Sequence, residues 1–469
     1  MPQPSAEPQY RPERTILDLG GAFYDPVEAA HFPKTILRFR NDRAAEAVGL
    51  AKLSDEQWIR HFGRFDPLPG SLPQPLALRY HGHQFRTYNP DIGDGRGFLF
   101  AQLRDGEGRL LDLGTKGSGQ TPYSRFGDGR LTLKGGVREV LATEMLEALG
   151  VETSRTFSLI ETGEALDRND EPSPTRSAVL VRLQHGHIRI GTFQRLAYFD
   201  DNDGLRRLAA YCLAHYFGEE HAGEDAPERL LRHVARQAAG LAASYIAAGF
   251  VHGVLNSDNI AITAQSFDYG PWRFTPFWDG YFTAAYFDHA GLYSFGRQPE
   301  AIHWDLVQLA ASLRGIAEAE ALAPALEAFP GDFQNALVQA ILRRLAIVPA
   351  APERNSALLA AIETALAGKS VAIDRFFFDW RGGRRRRSSP ADTAYDGEGF
   401  EAFRAQVADF EPAPGALDHP YWSGEAPCSM HIEEVEAIWA RIDEADDWSL
   451  FDSKVGEVRR MGEAMRPPA

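Results

Sequence analysis

The sequence predicts an α+β, bilobal chain with an N-terminal extension and a helical C-terminal tail. Three observations predict it. From Gly97 to about residue 185 the pattern runs strand, strand, helix, strand; beyond Thr192 it turns almost wholly helical; and both flanks are set apart, by Pro-rich connections on one side and a basic run on the other. The divisions that follow are an extension 1–75, a small mixed lobe 76–185, a helical lobe 186–375 and a tail 376–469.

In the extension, short helical patterns alternate with Pro67-Leu68-Pro69 and Pro73-Gln74-Pro75, as in a segment wrapping something larger. Gly97 to Leu103 and Leu110 to Leu113, joined across Asp105 to Gly108, read as an antiparallel hairpin feeding Thr115-Lys116. Val137, Val140, Leu141, Met145, Leu146 and Leu149 recur at helical spacing and Gly150 closes that helix. Ala178 to Leu183 has the composition of a buried strand. In the second lobe Leu205–Phe217 and Pro227–Gly249 are amphipathic. After Ile260-Ala-Ile262 a second short strand is expected to end at Phe267–Gly270, and helices are expected at Trp304–Ile316, Asp332–Leu345 and Glu353–Ala367. Arg381 to Arg387 read as a solvated surface loop, and helix resumes at Ile432–Asp443.

Composition narrows the function. The chain has 469 residues, 44% of them hydrophobic, enough for a sizeable core. With 49 basic and 65 acidic residues the net charge is 49 − 65 = −16, which argues against a general nucleic-acid binder. Cys212 and Cys428 form no CxxC pair, so a disulfide framework or thiolate zinc site is not expected, and a zinc reading of His81-Gly-His83 or His185-Gly-His187 lacks supporting ligands. No stretch approaches the roughly 18 apolar residues of a membrane span, and Met1 to Arg14 has no apolar signal region. A soluble cytoplasmic protein is expected.

The chemistry concentrates in two turns. His252-Gly-Val-Leu-Asn-Ser-Asp258-Asn259, followed nine residues on by Asp268-Tyr-Gly270, has the shape of a kinase catalytic loop and its metal-binding segment. Asn259 and Asp268 supply the oxygen pair a hard cation such as Mg²⁺ prefers, with Mn²⁺ an alternative. Where a kinase carries its catalytic Asp this chain has Val254, which cannot accept a proton; Asp258 is the candidate base, the alternative being a turn cap. Lys116 and Glu139 repeat the kinase pairing of a strand Lys with a helix Glu. The whole is therefore a bilobal protein-kinase-like fold. Gly93, Gly95 and Gly129 lie in glycine-rich segments that let backbone approach a ligand. Arg182 and Arg189 flank the end of the strand that should reach the hinge, where a kinase seats adenine; guanidinium groups suit phosphate there instead, as for a nucleotide bound the other way round.

Tyr80-His-Gly-His-Gln-Phe85, Gly93-Asp-Gly-Arg96, Lys116-Gly-Ser-Gly119, Thr121-Pro-Tyr-Ser-Arg-Phe-Gly-Asp-Gly-Arg130, Arg189-Ile-Gly-Thr-Phe193 and the two turns together resemble the selenoprotein O (SelO/YdiU) family, protein adenylyltransferases on a pseudokinase scaffold, from about residue 30 to 375. The resemblance implies a flipped ATP. Gly93, Gly95, Arg96, Lys116, Asp128 and Gly129 would contact nucleotide, Arg182 and Arg189 the γ-phosphate, and Asp268 with Asn259 the metal. Glu139 would pair with Lys116, and Asp258 would activate a Ser, Thr or Tyr hydroxyl on a client protein, with pyrophosphate released. A catalytically weak ATP-binding scaffold and a small-molecule kinase are the alternatives. Two departures stand out: His81 replaces the family's usual Ala, and the chain ends Met465-Arg-Pro-Pro-Ala469 without the Cys or selenocysteine common near the terminus, so an intramolecular redox switch is not expected here.

Overall fold

The computed structural model describes residues 9–169, 171–219, 223–386 and 388–466. Its centre is an antiparallel sheet whose strands all come from residues 12–184. The N-terminal stretch gives β1 (Pro12–Glu13), β2 (Tyr24–Pro26) and β3 (Ile36–Arg40), then helices α1 (Asp42–Ala47) and α2 (Asp55–Phe62). Next come β4 (Leu76–Leu78) and a hairpin of β5 (Gly82–Gln84) with β6 (Thr87–Asn89). β7 (Leu99–Arg104), β8 (Leu110–Lys116), β9 (Leu131–Thr132), helix α3 (Leu133–Ala148), β10 (Arg155–Leu166) and β11 (Thr175–Gln184) complete this part. The sheet order is β2-β4-β7-β8-β11-β10-β3, with β1 added to β7 and β9 to β11.

Both faces of this sheet are covered. Phe100, Leu113, Phe157 and Val181 lie with Trp58 and Phe62 of α2 in one apolar cluster, while Leu99, Leu110, Leu159 and Leu180 lie with Val137, Val140 and Leu141 of α3 in another. Strands buried on both faces lose the apolar–polar alternation of a half-exposed strand, which is why β7, β8 and β11 read as apolar runs. α2 starts at a capping box of Ser54 and Gln57, and α3 starts where the Thr132 side chain accepts from the Gly135 N–H.

The remainder is helical: α4 (Ile190–Tyr198), α5 (Asn202–Tyr216), and α6 (Ala226–Ala248), which stops at Gly249 with φ +70°. A two-strand ladder of β12 (Phe250–Val251) and β13 (Arg273–Phe274) brackets the catalytic-loop segment. α7 (Gln298–Leu313), α8 (Ala319–Leu345), α9 (Pro352–Ala367) and α10 (Ile373–Asp379) follow, and the tail adds α11 (Asp392–Asp396), α12 (Glu401–Val407), α13 (Ile432–Ala445) and α14 (Ser449–Met465). The α+β class expected from the sequence is the observed one. Among the described residues no helix is long and apolar enough to cross a membrane.

Four local expectations are corrected. First, the N-terminal stretch does more than wrap: β2 and β3 form opposite edges of the sheet. Second, β10 was not expected, because Thr156, Ser158 and Thr162 make its run look polar; two of them are satisfied internally, Ser158 by the Trp58 indole at 2.9 Å and Thr156 by Thr143 at 3.1 Å. Third, no strand ends at Phe267–Gly270. Residues 261 and 266 make only isolated bridges, to Arg189 and Thr153, and the partner of β12 lies further on at β13. Fourth, α8 runs back through Pro330 and Pro324 to Ala319, since packing along α6 outweighs the lost proline N–H bonds.

The basic run is a loop, as expected, with Arg384 and Arg385 exposed, but it is more than solvated. Arg381 is only 3% exposed and donates to the carbonyls of Ala416 (3.3 Å) and Arg344 (3.0 Å), Arg384 donates to Phe410 (3.1 Å), and Arg386 donates to Phe378 (3.0 Å) and Trp422. The run therefore stitches the tail onto the helical part. Arg387 lies outside the described residues.

Candidate active site

A cleft of about 780 Å³ opens between the sheet and the helical part. Its inner wall is built by β8, α3 and β11. β8 delivers Lys116 at its end, directly across from Leu180 of β11, and α3 delivers Glu139 from its second turn. The Lys116 Nζ lies 2.6 Å from Glu139 Oε2 and 2.7 Å from Asp268 Oδ1. Arg182, from the same side of β11, approaches Glu139 Oε1 at 3.8 Å and Asp268 Oδ1 at 3.9 Å.

Arg182 is 4% exposed, and among the described residues no acceptor comes within hydrogen-bonding range of its guanidinium; its Nε is buried and unsatisfied. Its partner Arg189 is the residue before α4, lies over the rings of Tyr80 (4.3 Å) and Phe267 (4.9 Å), and donates to Asp94 Oδ1 and to the Asp258 carbonyl, both at 3.1 Å. Its Nε is also buried without a partner. Two buried guanidinium groups with unused N–H donors form a concave cationic wall suited to an anion with several oxygens.

The floor comes from the two turns. His252 ties them together: its Nε2 meets the Phe267 carbonyl at 3.0 Å, and its backbone N–H donates to Gln298 Oε1 at 3.0 Å. Asp268 follows with φ +61°, a left-handed conformation that Asp tolerates better than most residues and that turns its carboxylate toward Lys116. Burial alone would push Asp268 up, but the charges of Lys116, Arg182, Arg96 and Arg189 outweigh it and hold the group well below the ordinary carboxylate range.

Asp258 behaves oppositely. It sits in the 3₁₀ turn Ser257–Asn259, is 8% exposed, and has an Oδ1 that is buried without a partner. Burial raises its pKa to about 6; Arg189 pulls it back and the Asp268 charge adds to the rise. Next to it, Asn259 donates its amide N–H to the Val254 carbonyl at 3.1 Å, leaving the amide oxygen as the atom a cation would take. Among the described residues no three His, Cys, Asp or Glu side chains cluster as a metal site. A two-oxygen set of Asn259 and Asp268 fits a hard cation that completes its shell with water and phosphate oxygens.

The rim is glycine-rich. Gly93, Gly95, Arg96, Asp128 and Gly129 all line the cleft. A Cβ on Gly93 would stand 2.5 Å from the Tyr123 ring, and Gly129 holds φ +69° against the Gly119 backbone, so both positions exclude larger residues. Asp128 lies at the outer edge, paired with Arg168 at 2.8 Å. Thus Lys116, Arg182, Arg189, Asp258 and Asp268 converge with the rim residues on one cavity, Glu139 stands behind Lys116, and Asn259, next to Asp258 in the chain, is not among the residues that line it.

Sequence reasoning passed over Asp94, Tyr80 and Phe267. Asp94 accepts from Arg189 and, through Oδ2, from the Leu78 N–H at 3.0 Å, so it orients the arginine. Its place between Gly93 and Gly95 was visible, but nothing local distinguishes it from a turn residue. The ring platforms under Arg189 are long-range contacts with no sequence signal.

A family model described as protein adenylyltransferase SelO matches residues 6–396. The protein nucleotidyltransferase YdiU of Synechocystis sp. is 41% identical, over 95% of this chain and 97% of its own. The protein of the same name from Gloeobacter violaceus is 43% identical over 96% and 95%, and that of Synechococcus elongatus 51% over 71% and 67%. Among solved structures, ROP2 of Toxoplasma gondii, described as having a protein-kinase fold and no enzymatic activity, covers 71% of this chain and 82% of its own at a TM-score of 0.24 and 11% identity, too slight a likeness to weigh in the argument. By the family model and by its relatives, the chain belongs to the SelO family of protein adenylyltransferases.

Proposed function

We propose that the enzyme transfers AMP from MgATP to Ser, Thr or Tyr hydroxyls of client proteins, releasing pyrophosphate, and that it works in the cytoplasm. The observation that carries the direction of transfer is the pair of buried, under-satisfied guanidinium groups of Arg182 and Arg189 at the inner wall. A triphosphate tail fits that wall better than adenine does, because an apolar base would leave the buried Nε–H of each guanidinium without an acceptor. With the γ-phosphate held there, Lys116, itself held by Glu139, takes a phosphate further along the chain, and the α-phosphate lies toward Asp258 and Asn259.

In this reading Asn259 and Asp268 hold the divalent cation, which when bound neutralises charge on the phosphates. Gly93, Gly95, Arg96, Asp128 and Gly129 border the rest of the nucleotide. Asp258 takes the proton of the attacking hydroxyl: it lines the cleft, one of its carboxylate oxygens has no hydrogen-bond partner, and its raised pKa makes it a better proton acceptor near neutrality than an ordinary aspartate. Val254, at the position of the kinase base, offers no such group.

The test is direct. The enzyme is incubated with a protein acceptor, Mg²⁺ and ATP labelled at the α or the γ position. Label from α-ATP is expected in protein, and label from γ-ATP in pyrophosphate. Protein labelled from γ-ATP alone would make the chain a kinase; ATP binding without transfer from either position, across a range of acceptors, would favour a binding scaffold.

A further inference from the structure

The family model ends at residue 396, yet the tail beyond it is packed against the helix that carries Glu139. α14 lies along α3. Arg459 forms a two-pronged pair with Glu144 of α3, Nε to Oε2 at 2.8 Å and Nη2 to Oε1 at 2.6 Å, and Glu144 is 4% exposed at its side chain. Three residues further along α14, Gly462 sits so close to Ala148 that a Cβ there would stand 3.2 Å from its Cα. At the other end of α3, Glu436 of α13 takes Lys134 at 2.6 Å and Arg138 at 3.6 Å. Between the two helices Asp446 receives Arg176 of β11 at 2.7 Å and Arg38 of β3 at 3.1 Å.

The tail thus grips α3 near both ends and is pinned to two strands of the same sheet. Glu144 lies five residues after Glu139, roughly 140° around the helix. The grip therefore acts on the flank of α3 away from Lys116, and a helix held there cannot swing Glu139 out of the cleft without breaking a nearly buried ion pair. Breaking such a pair by removing one partner is costly because the other charge stays buried.

We propose that Arg459 is a positioning residue for nucleotide binding, acting through Glu144 and α3 to hold Glu139 against Lys116. The tail is then a built-in brace of the ATP site, and whatever loosens α14 weakens the grip on ATP. This rests on the reading of Lys116 and Glu139 as nucleotide-holding groups. It is tested on the full chain by titrating MgATP calorimetrically, with protein labelling measured alongside.

Arg459→Glu is expected to raise the Kd for MgATP about tenfold, inside the roughly 5–150-fold range usual for coupling between sites. The swapped pair Glu144→Arg with Arg459→Glu is expected to recover most of that loss. In a Glu139→Gln background the same substitution at Arg459 is expected to add less than about twofold, since the group it positions is already disabled. A folded Arg459→Glu protein with unchanged Kd would overturn the proposal, as would a full additional loss in the Glu139→Gln background, which is the signature of a merely structural role. Should Arg459→Glu not fold, Arg459→Gln is judged by the same two criteria. An unmutated enzyme that binds ATP but labels no protein would sink the transfer reading and leave the brace to be judged on affinity; one that binds no ATP would overturn both.

Discussion

Asp268 and Asp258 border one cavity, ten residues apart in sequence, and the chain treats them in opposite ways. Asp268 faces Lys116 at 2.7 Å with Arg182, Arg96 and Arg189 around it, so its charge is stabilised across the whole working pH range. Asp258 is buried in a turn with an oxygen that no donor reaches, and its pKa rises to about 6. The contrast teaches how one residue type supplies two functions. A permanently ionised carboxylate is a poor base but a good ligand for a cation, whereas a carboxylate whose charge is poorly solvated gains by taking a proton.

The largest effect should come from the first of these. In the proposed reading Asp268→Ala removes a cation ligand and also the partner of Lys116, and it is expected to bring Mg²⁺-dependent labelling down to background while circular dichroism shows an intact fold. Labelling near the unmutated level would erase the division of labour between the two aspartates. The second effect is smaller. Asp258→Asn keeps the shape of the turn and removes the proposed base, so turnover at saturating ATP should fall by about 10²–10⁴-fold with ATP affinity little changed. The sign with pH follows from the raised pKa: the active form is the carboxylate, so kcat/KM should rise through about pH 6 and level off above it, because this ratio reports the free enzyme. A profile already flat down to pH 4.5 would mean that Asp258 is not the group that titrates.

This site was far more legible in the sequence than its support. Lys116, Glu139, Asp258, Asn259 and Asp268 sit in short motifs whose spacing encodes chemistry, so they could be named without a structure. Arg182 and Arg189 were legible because a charge at the end of a buried strand contradicts its surroundings. The roles of Asp94 and Phe267 depend on Arg189 folding over them, a contact made between segments far apart in the chain. β10 was hidden by its Thr and Ser residues, whose partners Trp58 and Thr143 come from other elements. Within the basic run Arg381, Arg384 and Arg386 were hard to place for a related reason: guanidinium groups bonded to backbone carbonyls leave no complementary acidic residue to be found in the sequence.

The smallest expected effect concerns the two cysteines, and it tests whether the tail communicates with the cleft by packing or by redox chemistry. Cys212 and Cys428 are both free and buried. Burial pushes the Cys428 thiol up to about 12 despite the opposing charge of Lys454, and burial also raises Cys212. With a pKa near 12, on the order of 10⁻⁵ of Cys428 is thiolate at pH 7, and the thiolate is the species that attacks a disulfide or an oxidant. Activity should therefore be the same, within about twofold, across a titration of reductant, and Cys428→Ser should show the same flat response. If oxidant instead lowered activity and Cys428→Ser removed that sensitivity, the tail would open far enough to expose the thiol, and its grip on α3 would have to be read as a dynamic one.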